Sequence, residues 1–209
     1  MIDRASGESK LPLAELGRVA YFRPDTLPVK FQCELMVTRH FTPREYGFTF
    51  TNGIQASLVE VDVETGFVKL LKHWCVEDAG TLINPMLVDE QIRGGVVQGI
   101  GAALFEECHY SEDGQLLNAT MADYLVPMSV EMPDIVCGHV ESKTKTSELG
   151  AKGVGEAGTA GAPGAVMNAI NDALNPFAAR VTSMPFTPER ILDALAAGKT
   201  AAGTQAVPR

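Results

Sequence analysis

Cysteine is scarce and scattered. Cys33, Cys75, Cys108 and Cys137 stand alone, with no C-x-x-C pair among them. That spacing excludes an iron–sulfur or zinc site built within this sequence, so any metal must be held mainly by something else. The four histidines, His40, His73, His109 and His139, are just as far apart, and no pair has metal-ligand spacing. They read as surface or ordinary core histidines. No G-x-S-x-G elbow is present. No apolar run approaches the roughly 18 residues that span a bilayer. The start, Met1-Ile2-Asp3-Arg4, has no signal-peptide core. Basic residues are in deficit. The formal net charge is −9 and the pI about 4.9, which argues against nucleic acid and anionic membrane as partners. A cytoplasmic protein with reduced, partly buried cysteines is the expectation.

What remains is a globular composition, 45% hydrophobic and 21% charged over 209 residues, enough for one sizeable core. The order of elements is mixed, which makes the fold class α+β. A short helix is expected over Leu11–Phe22, with Pro12 in its first turn. Phe31, Cys33, Leu35 and Val37 alternate as in a strand. A loop over 42–53 follows. Ile54–Val63 and Phe67–Val76, joined by Glu64-Thr65-Gly66, read as a hairpin. A helix is expected over Asp89–Glu107, with Asp89 as its cap. An extended run should lead to Pro127, a strand should cover Asp134–Glu141, and a helix Ala165–Leu174. Arg180–Phe186 reads as extended, and Ile191–Ala197 as a helix opened by Thr187-Pro188-Glu189 and ended by Gly198. The chain reads as one domain, softly divided near residue 80, with loose ends at 1–10 and 199–209.

Two stretches carry the chemistry. Lys152-Gly153-Val154-Gly155-Glu156-Ala157-Gly158 sets one carboxylate among small residues just before a helical pattern. It reads either as a solvated acid on a glycine-rich surface loop, or as a general base facing a bulky cofactor that approaches the bare main chain. The segment also matches G-x-G-x-x-G. Residues 146–152 ahead of it are not a buried strand, so a dinucleotide fingerprint is disfavoured. The second stretch is the helix with Ile92, Val96, Ile100 and Leu104 on one face and Gly94, Gly95, Gly99 and Gly101 within it. Each interior glycine costs about 1 kcal/mol relative to alanine. Close helix packing, or a ligand lying against the backbone, would compensate. Gln98 offers donors and an acceptor together on that helix, suited to a heterocycle or oxo group, or is simply a satisfied polar side chain.

Taken in order, Asp78-Ala79-Gly80, Ile83-Asn84-Pro85, Gln91 to Gly101, Asp123-Tyr124-Leu125-Val126-Pro127 and Gly150 to Gly158 resemble the molybdopterin-binding subunit of the xanthine dehydrogenase/aldehyde oxidase family. The likeness runs from about residue 11 to 197 and matches the C-terminal part of that subunit. It departs at Glu90, where glycine is usual before Gln91. The starting methionine favours a split subunit over a fragment. The resemblance implies a molybdenum hydroxylase acting on a purine, another N-heteroaromatic compound or an aldehyde, with water as oxygen source. It implies Glu156 as catalytic base. Gln98, Gly99, Lys152, Gly153, Val154 and Gly155 would be cofactor-binding, and no residue of this chain would be a metal ligand. A confined, largely apolar site would raise the proton affinity of Glu156 toward a useful range. The implied cofactor is molybdenum–molybdopterin, in cytosine dinucleotide form and shared with a second molybdopterin-binding chain. A [2Fe–2S] subunit and an FAD subunit are implied as further partners. The other readings are a carbon monoxide dehydrogenase-like subunit and a non-catalytic scaffold of the same fold.

Overall fold

A computed structural model describes residues 3–30, 36–42 and 49–205, with side chains followed to residue 200. The chain forms two compact units, Met1–Arg44 and Glu45–Arg209. Residue 80 therefore lies inside the second unit.

In the first unit, helix α1 (Leu13–Phe22) begins behind Pro12, which sits outside the helix as its cap, in extended geometry. An Arg18–Glu15 pair at 2.7 Å braces it one turn apart. A 3-10 turn over Pro24–Thr26 follows. Of the expected strand, residues 31–35 lie outside the described residues, as do residues 43–48 of the expected 42–53 loop. Val37 is in irregular backbone.

The second unit holds the hairpin. Strands β1 (Asn52–Val61) and β2 (Val68–Asp78) pair antiparallel from Asn52↔Asp78 to Val61↔Val68. Asp62 shapes the turn: its carboxylate accepts from the amides of Glu64 and Thr65, and its carbonyl from Gly66, whose φ is +76°. A register shift at Leu58/Val59 changes which β2 residues face inward. Strand β3 (Ile135–His139) joins β2 in parallel, giving the order β1-β2-β3. It is three residues shorter than Asp134–Glu141. The run expected to lead extended to Pro127 joins no named strand; it contributes one bridge, Tyr110↔Leu116, and turns.

Helix α2 (Pro85–Leu104) starts four residues earlier than its apolar periodicity indicates. The cap is Asn84, whose side chain accepts from the Leu87 amide, with Pro85 at the first position. Asp89 is consequently not the cap. It meets His139 Nε2 at 2.5 Å, joining α2 to β3.

Helix α3 (Ala157–Leu174) starts eight residues before Ala165. Gly158, Gly161, Pro163 and Gly164 disfavour a helix by propensity, but packing on α2 overrides it. A Cβ on Gly99 would meet Ala162 Cβ at 2.8 Å and the Thr159 carbonyl at 2.9 Å. A Cβ on Gly158 would run into the Ile92 carbonyl and reach Val96 N at 2.8 Å. The two helices touch backbone to backbone. Below that contact, Ile92, Val96, Ile100, Val166, Ile170 and Leu174 close the core against the inner face of the hairpin.

Residues 180–186 form no strand. Asn171 pairs through its side chain with both the N–H and the C=O of Val181, at 2.8 and 2.9 Å, in place of a strand neighbour. Helix α4 (Pro188–Gln205) has Thr187 ahead of it as expected, but runs past Gly198. Gly198 is there for space, since a Cβ would lie 2.9 Å from the Ala178 carbonyl. Among the described residues no helix is long and apolar enough to cross a membrane.

Candidate active site

Asp78, at the end of β2, organises the loops around the glycine segment. Its carboxylate accepts from the Gly80 and Ser142 amides, both at 3.0 Å, from the Ser142 hydroxyl, and from Lys152 Nζ at 3.0 Å. The Ser142 hydroxyl, the two amides and Lys152 hold this carboxyl well below the usual carboxylate range. Gly80 (φ +64°) and Gly150 (φ +75°) take left-handed turns at this junction, and Gly80 bridges to Ala151. The Lys152 amide then donates to the Ala79 carbonyl at 2.8 Å. The chain therefore enters Gly153 from a fixed point.

From there Gly153-Val154-Gly155 runs to Glu156, which occupies the cap position of α3 without its side chain capping the helix. Val154 packs against the core, while Gly153, Gly155 and Glu156 are exposed. These three, with Ala157, Ala160 and Gly161 of α3, form one wall of a cleft of about 580 Å³. Residues 49–53, Gln55 and Glu77 form the rest. A Cβ on Gly153 or Gly155 would meet nothing within 4 Å, so that wall is bare backbone facing open space.

Under this cleft, Gln55 and Glu77 escaped the sequence reading, which took His73 as a surface or ordinary core histidine. Gln55, His73 and Glu77 all point inward from the hairpin, His73 fully buried and Glu77 nearly so. His73 bonds Ser57 Oγ at 2.9 Å and Gln55 Oε1 at 3.1 Å. Burial pushes its pKa down to about 4. Glu77 lies against Cys75 Sγ (3.3 Å) and Gln55 Nε2 (3.5 Å). Burial and the neighbouring Glu77 push the Cys75 thiol upward, so it stays protonated. The signal available in the sequence was polar residues at alternate, inward positions of a hairpin.

The expected cofactor residues separate into groups. Gly153, Gly155 and Glu156 line the cleft together. Lys152 anchors the loop, its ammonium held by Asp78 and by Ser142 Oγ at 3.1 Å. Gly99 is buried in the α2–α3 contact, and Gln98 is exposed beside Thr159, whose hydroxyl lies 3.4 Å from its Oε1. Neither lines the cleft. Of the two readings of the α2 glycines, packing accounts for Gly95 and Gly99. The confinement expected around Glu156 is also not supplied by this chain, because the residue is exposed. Among the described residues no three His, Cys, Asp or Glu side chains gather as a metal-binding group.

The family of molybdopterin cofactor-binding domains matches residues 2–133. The chain belongs to that family. It is 40% identical over 190 residues to the nicotine 6-hydroxylase large subunit of Paenarthrobacter nicotinovorans, covering 90% of this chain and 23% of that protein. It is 30% identical over 161 residues to the carbon monoxide dehydrogenase large chain of Afipia carboxidovorans, covering 77% of this chain and 19% of the other. Among solved structures, quinoline 2-oxidoreductase from Pseudomonas putida 86 superposes with a TM-score of 0.72 at 40% identity, over 89% of this chain and 23% of that one. The chain thus spans about a fifth to a quarter of the length of these relatives, and is a portion of the xanthine dehydrogenase-type molybdopterin-binding fold.

The cleft's own chemistry fits a molybdopterin cofactor. Bare backbone at Gly153 and Gly155 admits a flat ring system close to the main chain. The first turn of the 18-residue helix α3 favours anionic groups such as phosphate. The exposed carboxylate of Glu156 can accept from ring N–H groups.

Proposed function

We propose that this chain carries the general base of a multi-subunit molybdenum hydroxylase, and that Glu156 is that base. The observation that supports it is the placement of Glu156 at the end of the side-chain-free Gly153–Gly155 wall, inside a cleft of about 580 Å³. The cofactor, when bound, supplies the redox chemistry. The chain would supply the proton acceptor, the carboxylate oxygens of Glu156 facing the cleft. Gly153, Val154 and Gly155 line the pterin through their backbone, and Lys152 holds that backbone in place through Asp78. Gln98, exposed on α2 beside Thr159, would reach the cofactor from that side, while Gly99 serves the α2–α3 packing behind it.

The substrate class proposed is an N-heteroaromatic ring. The 40% identity to proteins named for nicotine and quinoline exceeds the 30% to the carbon monoxide dehydrogenase chain. Purines and aldehydes come next. The cofactor is proposed in its cytosine dinucleotide form, shared with a second molybdopterin-binding chain. A [2Fe–2S] subunit and an FAD subunit are the further partners proposed, which would carry the electrons away in a cytoplasmic complex. The open cleft around Glu156 is the reason a covering chain is required for activity.

The test is Glu156→Gln in the assembled complex. Turnover should fall by roughly 10²–10⁴-fold with molybdenum and pterin content unchanged. Unchanged turnover would mean a scaffold role. The carbon monoxide dehydrogenase-like reading, favoured by the 30% relative, is decided by offering carbon monoxide and quinoline-type rings to the same preparation.

A further inference from the structure

Beneath the cleft a chain of polar groups runs from β1 through β2 to the start of α3. Ser57 Oγ meets His73 Nδ1 at 2.9 Å, and His73 Nε2 meets Gln55 Oε1 at 3.1 Å. Gln55 Nε2 donates to the Gly158 carbonyl at 2.9 Å and lies 3.4 Å from that of Ala157. The proton order follows from chemistry. Backbone carbonyls only accept, so Gln55 must turn its NH₂ to α3 and its oxygen to His73. His73 then carries its proton on Nε2, and its Nδ1 accepts from the Ser57 hydroxyl. Gly161 supplies an independent sign that the amide is built in. A Cβ there would lie 2.9 Å from Gln55 Cδ and 3.0 Å from Nε2, so the glycine makes the space the amide fills. The two carbonyls belong to the residues immediately after Glu156.

The start of a helix is its softest part, since its first amides have no intrahelical partner. Here it also hangs from a loop with glycine at 153 and 155. An outside brace therefore decides how firmly Glu156 is aimed. We infer that Gln55, oriented by His73 and Ser57, is a positioning residue for Glu156: it pins the Ala157 and Gly158 carbonyls and so sets the rotation of the first turn of α3. This rests on the reading of Glu156 as the base.

The experiment compares Gln55→Leu, Gly161→Ala and their double variant in the assembled, cofactor-loaded complex, with Glu156→Gln alongside. Leucine keeps the bulk of Gln55 but cannot donate. The Gly161→Ala methyl pushes the amide off the carbonyls. Each single variant should lower kcat about ten- to a hundredfold at unchanged KM and molybdenum content. The double variant should be no worse than Gln55→Leu, because both remove one interaction. Hydrogen exchange of peptides covering 153–164 should speed up in all three. If Gln55→Leu does not assemble, Ser57→Ala, which only loosens His73, should give a smaller loss of the same kind. Unchanged exchange over 153–164, additive losses in the double variant, or a fall in cofactor content at constant kcat per molybdenum would each overturn the inference. Should Glu156→Gln alone leave turnover intact, the catalytic reading fails, while the exchange arm still reports whether Gln55 holds the helix start.

Discussion

His73 shows how one residue in this fold answers to pH. It is fully buried between Ser57 and Gln55, and its pKa in the folded chain drops from 6.5 to about 4. Above pH 6.5 both folded and unfolded forms are neutral there, and His73 adds no pH dependence. As pH falls from 6.5 toward 4 the unfolded chain takes up a proton that the folded chain refuses, so stability declines across that window. Below about 4 the penalty is constant. His73→Leu should cost about 1–3 kcal/mol at neutral pH, because Gln55 and Ser57 lose a partner. It should also flatten the slope between pH 6.5 and 4, which urea unfolding of both forms at several pH values measures. Asp78 acts in the same direction but in a lower window. Its carboxyl is lowered by the Ser142 hydroxyl and backbone amides, so its contribution disappears only in strong acid, below the window of His73. At this scale the sequence reading singled out Glu156 and its glycines, because a lone acid among small residues is a local pattern. It missed Gln55 and Glu77, and the meeting of both with His73, which depends on strand pairing and on a bulge.

At the scale of elements, the glycines divide by what stands opposite them. Gly95, Gly99 and Gly158 lie in the α2–α3 contact, with neighbours where a Cβ would go. Gly94 and Gly164 have nothing within 4 Å. Gly99→Ala should destabilise by about 1–3 kcal/mol through overpacking, and Gly158→Ala by about 3 kcal/mol or more, since backbone must move. Gly94→Ala and Gly164→Ala should stabilise by about 0.5–1 kcal/mol, because alanine suits a helix interior and loses less entropy on folding. Thermal unfolding of the four variants separates the classes, and equal effects would refute this division. The same contact explains why α3 begins at Ala157 rather than Ala165. Propensity reads Gly158 to Gly164 as a loop, while packing against α2 pays the helix-forming cost. Gly198 repeats the lesson: next to the Ala178 carbonyl it continues α4 instead of ending it.

At the scale of the whole molecule, among the described residues of the second unit the sheet has one face packed on helices and one face without such cover. The inward residues of β1 and β2 pack on α2 and α3. On the outward side Ile54 is 72% exposed, Leu58 50% and Val76 37%. A neighbouring row of apolar side chains in water is costly, at about 25 cal/mol per Å², and marks a surface meant for contact. This chain covers only 23% of the length of two of its relatives, so the partner proposed for this face is the rest of the molybdopterin-binding fold. Ile54→Asp with Val76→Lys should abolish co-purification with that partner while leaving the inner core intact by circular dichroism. Full assembly of this double variant would show that the face is not the interface.

The amino-acid sequence alone determined what local and periodic patterns carry: the hairpin with its Glu64-Thr65-Gly66 turn, the existence of four α-helices, and the acid isolated among glycines. These depend on residues close together in the chain, where sterics and hydrogen bonding act without a partner. Tertiary structure decided the rest. It set where α2 and α3 begin, whether a glycine admits a ligand or a helix, that Lys152 serves Asp78, and that Gln55 reaches across 102 residues to the start of α3. Those outcomes are set by which surfaces meet in space, and no window along the chain contains both sides of such a contact.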